Sequence, residues 1–194
     1  LENGTYENAG TYADKITAVH TYSADNYVVT IVKGDLIITK ATNAWTTPLA
    51  SKNDIVYDKE SVAEDVDFSS QAKFGDASVV YTFYLKQANG TYGEISAPTN
   101  AGTYYVKATV AETSNYAGLD SGYVRLVINK RTITIDTVTF VDDEVYYNGQ
   151  EHSIFAGNYA ELFNVSYIGN GKINAGAHEV IATFTIKDTA NYEL

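Results

Sequence analysis

Two short acidic runs, Asp65-Val66-Asp67 and Asp142-Asp143-Glu144, carry the residues best suited to bind a hard cation. Ca²⁺ prefers several carboxylate or carbonyl oxygens gathered at one turn, and these runs offer such oxygens. Neither run has the alternating ligand loop of an EF-hand. The sequence therefore favours a solvated acidic turn at both places, and it predicts no metal site.

The remaining reactive side chains do not form a catalytic constellation. The chain has no cysteine, which excludes a thiol nucleophile, a disulfide and a thiolate metal site. Its three histidines, His20, His152 and His178, are scattered, and the chain contains no Gly-rich phosphate loop or HExxH motif. The sequence thus predicts a protein that is not an enzyme and that needs no cofactor.

Aromatic residues are a further kind of candidate, because Trp45 and exposed tyrosines can stack on sugar rings. The chain contains 17 tyrosines, so some of them must reach the surface whatever the function is. Sugar binding therefore stands as an alternative to a purely structural use of these rings.

The charge of the chain argues against two classes of partner. The formal net charge is −11, and residues 131–194 alone carry 3 basic and 9 acidic side chains. Such a surface repels phosphate backbones and anionic lipids. No apolar run reaches the roughly 18 residues that a bilayer-spanning helix needs. We therefore predict neither nucleic-acid binding nor membrane insertion.

A recurring motif organises the elements that would position these residues. An Asn-Ala-Gly segment occurs three times, and an Asn-Tyr pair follows each copy after 15 to 18 residues. Such recurrence is typical of repeat proteins. The segments begin at Asn8, Asn100 and Asn174, and the pairs are Asn26-Tyr27, Asn115-Tyr116 and Asn191-Tyr192.

The repeat length predicts the domain organisation. Lys40 and Lys130 end two equivalent β-rich runs that lie 90 residues apart, a length that suits a sandwich of about seven short strands. We expect an all-β protein of tandem Ig-like β-sandwich repeats with incomplete terminal repeats. Residues 1–40 would be the C-terminal half of a repeat, residues 41–131 a complete repeat, and residues 132–194 a repeat that lacks its last strand.

Period-two patterns and turn dipeptides predict the individual strands. The expected strands are 27–32, 36–40, 54–57, 79–85, 104–110, 123–128, 132–135 and 164–168, with turns at Lys33-Gly34-Asp35 and Asn89-Gly90 and a hairpin at 146–149.

The strand after each motif is predicted to bury one face. In the first copy Asp14 breaks the alternation, so that strand is expected to be either shifted or at an edge. The inward residues would be Tyr104, Val106, Ala108 and Val110 in the second copy, His178, Val180, Ala182 and Phe184 in the third, and Tyr12, Ile16 and Ala18 in the first.

The motif residues themselves are predicted to have structural roles. Gly102 would provide a positive φ or a close backbone approach. Asn100 would bond its own backbone and hold the turn. Tyr104 and Tyr116 would bury their rings while each hydroxyl finds a backbone partner.

The incomplete terminal repeats predict open sheet edges, which expose unpaired N–H and C=O groups. We expect such an edge to be completed by another chain in a strand-exchange homo-oligomer, or by residues 1–40 within the molecule. Leu1 rather than Met begins the chain, which favours a segment of a longer protein.

Taken together, these features resemble the MBG-type repeats of bacterial surface proteins, including the YGX and YDG variants. The resemblance rests on the Asn-Ala-Gly-Thr-Tyr motif, the strand 106–109 with its repeat 180–183, the Asn-Tyr pair and the closing strand that ends in Lys. Residues 145–150 are similar to the Tyr-x-Gly signature of such repeats. In the second repeat, Tyr57-Asp58-Lys59 has Lys where this signature has Gly.

The resemblance implies a non-enzymatic stalk, spacer or presenting module in a secreted or cell-surface bacterial adhesin. Its implied partners are host glycans or mucin and neighbouring repeats of the same protein. Lys–Asn crosslinks occur in some Gram-positive surface modules, and Lys107, Lys130 or Lys187 could supply the amine. The alternative is a carbohydrate-binding accessory module of a secreted enzyme.

Overall fold

The computed structural model describes residues 5–18, 27–135, 138–158 and 161–194, except for the side chain of Asp65. The described chain is nearly all β, as the sequence predicts, with one helical turn, α1, at Val62–Asp65. The strands are β1 Gly10–Ile16, β2 Gly34–Ile38, β3 Trp45–Thr47, β4 Lys52–Val56, β5 Gln71–Ala72, β6 Val79–Lys86, β7 Tyr92–Ile95, β8 Gly102–Val110, β9 Leu119–Asp120, β10 Val124–Asn129, β11 Arg131–Thr132, β12 Phe163–Ile168, β13 Ile181–Ile186 and β14 Tyr192–Glu193.

The chain forms two compact units that interleave along the sequence. Unit 1 contains the described residues of Leu1–Ser51, Val66–Ser96 and Tyr104–Arg125, and unit 2 contains those of Lys52–Asp65, Ala97–Thr103 and Leu126–Leu194. The repeat boundaries given above stay sequence-based predictions.

The sheet of unit 1 is centred on β6 and β8, which pair antiparallel from Val79↔Val110 to Tyr84↔Tyr105. β7 pairs with the other edge of β6, and β9 pairs with the end of β8. β1 pairs with β2, and β3 pairs with β5. The apolar alternation of β8 places Val106 and Ala108 in the core at 0% exposure, which confirms the predicted inward face.

Unit 2 is held together by three strand pairs. β4 runs parallel to β10 from Lys52↔Leu126 to Val56↔Asn129, and β11 runs parallel to β14. β12 and β13 form an antiparallel pair from Phe163↔Ile186 to Ile168↔Ile181. Leu126 is fully buried in this unit, and Phe163 is nearly so.

Several predicted strands are confirmed: β4, β6, β8, β10 and β12 lie where the alternation places them. The tight turn at Asn89-Gly90 is also confirmed, because Gly90 has a φ of 85° between β6 and β7. By contrast, of the residues in the strand predicted at 132–135 only Thr132 lies in a strand, the two-residue β11.

The predicted strand at 27–32 is wrong. These residues lie outside the strands, and Val28 is 97% exposed. Alternation alone does not make a strand, because the backbone also needs a partner, and no described strand pairs with this segment. The turn predicted at Lys33-Gly34-Asp35 is misplaced for a related reason: β2 begins at Gly34, which pairs with Ile16.

The hairpin predicted at 146–149 is wrong as a hairpin and correct only as a turn. Gly149 has a φ of 76°, and Asn148 Oδ1 accepts a hydrogen bond from the backbone N–H of Gln150 at 2.9 Å. The flanking residues form no strands, so nothing extends the turn into a ladder.

Both sequence alternatives for the strand that contains Asp14 are borne out, because β1 is shifted in register and, pairing only with β2 among the described strands, is also an edge. The φ of Asp14 is 56°, and the pairing with β2 is irregular between Tyr12 and Ile16. Between the pairs Tyr12↔Leu36 and Ile16↔Gly34, β1 has two residues more than β2, so the ladder is interrupted while Ile16 keeps the face of Tyr12. Ile16 is nevertheless 47% exposed and Ala18 is exposed, so the prediction that these two residues are buried on the inward face is wrong.

Candidate functional site

The asparagine of the second Asn-Tyr pair forms hydrogen bonds with the first Asn-Ala-Gly segment. Asn115 Oδ1 accepts a hydrogen bond from the backbone N–H of Ala9 at 2.7 Å, and Asn115 Nδ2 donates to Asn8 Oδ1 at 2.8 Å. The carbonyl of Asn115 also accepts a bond from the N–H of Ala41, 2.8 Å away. One residue thus bonds both the motif and the segment after β2. We call this arrangement an asparagine clasp.

A second asparagine clasp has the same geometry. Asn191 Oδ1 accepts from the N–H of Ala101 at 2.7 Å, and Asn191 Nδ2 donates to Asn100 Oδ1 at 3.1 Å. The carbonyl of Asn191 accepts from the N–H of Arg131 at 2.9 Å, and Arg131 follows the closing strand as Ala41 does. Asn191 is only 6% exposed, so its amide is satisfied by protein groups in place of water.

Acidic side chains and lysines hold the clasp segments in place. Asp188 accepts bonds from the N–H and Nδ2 of Asn191, at 3.2 and 2.9 Å. Lys130 Nζ donates to the carbonyl of Thr189 at 2.7 Å. At the first clasp, Lys40 lies 2.9 Å from Glu112. Each closing-strand lysine therefore reaches the turn that presents the clasp asparagine.

The tyrosine after each clasp asparagine packs against an aromatic ring. Tyr116 stacks on Phe74 at 5.3 Å with an interplanar angle of 9°, whereas Tyr192 meets Tyr57 edge-on at 5.3 Å. Burial, with the nearby Tyr192, raises the pKa of Tyr57. The prediction that Tyr116 is structural agrees with this packing, because an aromatic pair adds stability beyond its buried area.

The third Asn-Ala-Gly segment has no clasp among the described residues. Asn174 and Ala175 are exposed, whereas Ala9 and Ala101 are half-buried. The motif itself is formed, because His178 Nε2 lies 2.8 Å from the carbonyl oxygen of Asn174. In the first copy, the hydroxyl of Tyr12 donates to the carbonyl of Asn8 at the same distance. His178 thus takes the place of the motif tyrosine at an exposed rim.

A second candidate site is a group of rings in unit 1, which we call the tyrosine cluster: Tyr84, Tyr92, Tyr105 and Tyr123. Tyr92 and Tyr123 stack at 3.9 Å, and Tyr84 meets Tyr123 edge-on at 4.9 Å. Tyr105 meets Tyr92 edge-on at 4.9 Å. The rings come from β6, β7, β8 and the residue before β10, so cross-strand neighbours on one sheet face build the cluster.

Lys107 introduces a positive charge into the tyrosine cluster. Its Nζ lies 5.8 Å from the Tyr84 ring and 5.6 Å from the Tyr123 ring, within cation–π range. Lys107 also pairs with Asp120 at 3.1 Å. The hydrogen bond to Asp120 raises the pKa of Lys107, and the N–H of Gly122 together with Lys107 lowers the pKa of Asp120. The cluster offers a flat aromatic surface beside a donor and an acceptor, which suits a sugar ring.

The acidic runs gain no further ligands. Asp142-Asp143-Glu144 is exposed and lines a cleft of about 640 Å³ that also borders Asn174–His178. Asp67 Oδ1 accepts a bond from the N–H of Ser69, at 2.8 Å. Within the described parts of the chain, no three acidic or histidine side chains come close enough to hold a metal ion.

The structure brings some of the other sequence candidates together, because His152 and His178 line the same cleft as Asp142-Asp143-Glu144. His20 is outside the described residues, and His152 Nε2 contacts Asn148 Oδ1 at 3.0 Å. Trp45 is half-buried in β3, which pairs with β5, a strand that contributes no ring to the tyrosine cluster. The amines of Lys107, Lys130 and Lys187 contact Asp120 and the carbonyls of Thr189 and Glu161, none of which is an asparagine side chain. No described helix is both long and apolar enough to cross a bilayer.

No family model, curated protein or solved structure matches the chain. The candidate sites therefore stand on their own geometry.

Sequence reasoning missed the clasps because it assigned each asparagine to its own turn. Asn100 was expected to bond nearby backbone, and the structure places its Oδ1 against Asn191. Gly102, expected to allow a positive φ or a close backbone approach, begins β8 without a positive φ. The joint recurrence of Asn-Ala and Asn-Tyr was the available signal, since two motifs that always occur together can be partners in space.

Proposed function

We propose that this chain is a non-enzymatic segment of tandem Ig-like modules from a secreted or cell-surface bacterial adhesin, acting as a stalk, spacer or presenting module. The observation that carries the proposal is the asparagine clasp, which occurs twice with the same three bonds. Such a contact uses recurring residues to join the motif of one copy to the Asn-Tyr pair of the next. A tandem protein needs a junction of this kind at each step.

A second recurring contact supports the same interpretation. The hydroxyl of Tyr81 accepts a bond from the N–H of Ser70 at 2.9 Å, 11 residues earlier. The hydroxyl of Tyr167 accepts one from the N–H of Ala156 at the same distance and spacing. Tyr81 lies on β6 and Tyr167 on β12, so these strands are equivalent in their copies.

The cell-surface part of the proposal comes from the resemblance to MBG-type repeats. The turns at Tyr57-Asp58-Lys59 and Tyr147-Asn148-Gly149 support that resemblance, because both have a positive φ at the third residue. In both turns the middle side chain accepts a bond from the N–H two residues on, at 2.9 Å. The Tyr-x-Gly signature thus describes one backbone conformation at both positions.

The spacer role is tested by adding modules. Chains in which one or two further copies of residues 41–130 are inserted after Lys130 should gain a constant increment in maximum dimension by small-angle X-ray scattering, because each copy would repeat the same junction. A maximum dimension that stays nearly constant as copies are added would contradict a spacer.

A carbohydrate-binding accessory module is the second candidate function, and the tyrosine cluster is the observation that favours it. Tyr123 is 43% exposed, so part of its ring is available for stacking. A glycan and mucin array should be probed with the parent chain, with Tyr123→Ala, and with the control Tyr146→Ala, whose ring is 93% exposed outside the cluster. Saturable retention lost only in Tyr123→Ala would establish sugar binding, and no retention on any glycan would favour the spacer.

A further inference from the structure

The third Asn-Ala-Gly segment shares one contact with a clasped motif and lacks the clasp, and its glycine, Gly176, has a φ of 143°, whereas Gly10 and Gly102 begin strands without a positive φ. The contact between His178 and the Asn174 carbonyl reproduces the one between Tyr12 and Asn8. No described residue bonds the N–H of Ala175, which is the group that an asparagine Oδ1 accepts from in both existing clasps.

The backbone beside this segment also lacks a partner that the first copy has. In that copy the strand begins at the motif glycine, and Gly10 pairs with Ile38 of the closing strand. In the third copy β13 begins only at Ile181, so residues 176–180 form no ladder with the described chain. The 640 Å³ cleft lies alongside them. An unpaired strand edge is a template for another strand.

We propose that Asn174 and Ala175, with the edge at 176–180, form a docking site for a further β module of the same kind. The chain that leads into that module would supply a strand equivalent to β2, and its Asn-Tyr asparagine would clasp Asn174 and Ala175. The occupant is specified by the two existing clasps, which join the same atoms of the same motif. The inference rests on the tandem-module part of the proposed function and is independent of a location at the cell surface.

The recognition in this site is between neutral amides. Asparagine offers one acceptor and one donor, and the Asn-Ala segment offers the complementary backbone N–H and side-chain oxygen. No ion pair is needed within the clasp, so the docking of a module should be insensitive to salt compared with a contact between exposed charges.

The test extends the chain with its own sequence. Residues 119–194 are joined directly after Leu194, because Leu194 corresponds to Gly118 when Asn191 is aligned with Asn115. Hydrogen exchange of the Ala175 amide is then measured by NMR in the parent chain, in the extended chain, and in extended chains carrying Asn191→Ala or Asn191→Asp in the appended copy. The amides of Ala9 and Ala101 are references for folding in every variant.

We expect the Ala175 amide to exchange at least about tenfold more slowly in the extended chain than in the parent. The appended Asn191→Ala change should restore fast exchange while Ala9 and Ala101 stay protected. Asn191→Asp keeps an acceptor and should retain part of the protection.

Equal exchange of Ala175 in the parent and extended chains, with Ala101 protected in both, would overturn the docking site. Protection that survives Asn191→Ala would overturn the clasp as its cause. Protection in the parent chain that grows with protein concentration would assign the site to a second copy and overturn the in-line arrangement. Each of these hydrogen-exchange results is independent of the gain in maximum dimension that tests the spacer role.

Discussion

The side-chain amide of Asn191 donates a hydrogen bond to the side-chain oxygen of Asn100, 91 residues earlier in the chain. Asn191 also accepts a bond from the neighbouring N–H of Ala101. One amide therefore bonds two groups at once, of which the N–H of Ala101 is half-buried and Asn100 is exposed. Loss of one partner from such a set costs more than a typical exposed hydrogen bond contributes, because the groups left behind keep their desolvation penalty.

The first prediction follows from this pairing. Asn191→Ala should lower the free energy of unfolding by about 2–3 kcal/mol, because the half-buried N–H of Ala101 loses its acceptor and the carboxylate of Asp188 loses the Nδ2 donor. Chemical denaturation measures the change. Asn164→Ala is the matched control: this asparagine is exposed on β12, and its substitution should change stability by less than about 0.5 kcal/mol. Equal effects of the two changes would contradict a structural role for the clasp.

The sequence predicts correctly those strands whose partner strand has the same alternation of apolar and polar residues. Val79–Lys86 and Gly102–Val110 are apolar on one face and pair with each other, so local pattern and tertiary pairing agree. Residues 27–32 alternate as well, but alternation does not reveal whether a partner strand is present. Asp14 was ambiguous for a similar reason, because the sequence shows a broken pattern without showing which way the register shifts.

The candidate sites were less predictable than the strands. A clasp joins residues about 90 or more positions apart, and no local rule connects Asn115 to Asn8. The tyrosine cluster needs the register of β6 against β8, which places Tyr84 opposite Tyr105. Counting tyrosines predicts that some rings are exposed, but only the pairing of the strands brings particular rings together.

The second prediction concerns the tyrosine hydroxyls. Tyr167→Phe should lower the free energy of unfolding by about 1–2 kcal/mol, because the part-buried N–H of Ala156 loses its acceptor. Tyr81→Phe should act similarly through Ser70. Denaturation and hydrogen exchange of the Ala156 amide check the effect, and Tyr146→Phe at an exposed position is the control. Unchanged exchange at Ala156 in Tyr167→Phe would rule the contact out.

The third prediction concerns pH. Hydrogen bonding from Gly122, together with Lys107, lowers the pKa of Asp120 below its ordinary value of 3.8. A lowered folded-state pKa contributes stability that is fully present above the unfolded value and is lost as the pH falls through the folded value. The stability advantage of the parent chain over Asp120→Asn should therefore be constant near neutrality and shrink below pH 3.8.

Two measurements check the prediction for Asp120. Carboxyl chemical shifts of Asp120 should titrate with a midpoint below 3.8, and denaturation should be compared for both chains across the acidic range. Lys107→Met should move the midpoint upward, because the lysine pairs with this carboxylate at 3.1 Å. A midpoint at or above the ordinary value in the parent chain would contradict the proposed role of these contacts.

The last prediction concerns two equivalent turns, one with Lys59 and the other with Gly149 at the third position. Lys59 has a φ of 80° and Gly149 one of 76°. The left-handed region costs a residue with a Cβ about 1–2 kcal/mol, and glycine avoids this cost at the expense of greater freedom in the unfolded chain. Lys59→Gly should therefore raise the free energy of unfolding by about 0.5–1 kcal/mol, measured by chemical denaturation.

Gly149→Ala is the reciprocal change to Lys59→Gly and should destabilise. Among the described residues, only the hydroxyl of Tyr147 lies near the added Cβ, at 4.0 Å, so crowding would contribute little and the cost would come from the backbone. The two substitutions are expected to change the free energy of unfolding in opposite directions, because the two turns have the same backbone conformation. Destabilisation by Lys59→Gly would instead mean that the lysine side chain stabilises the fold by more than its backbone strain costs. The equivalence of the two turns would then no longer explain why one has lysine and the other glycine.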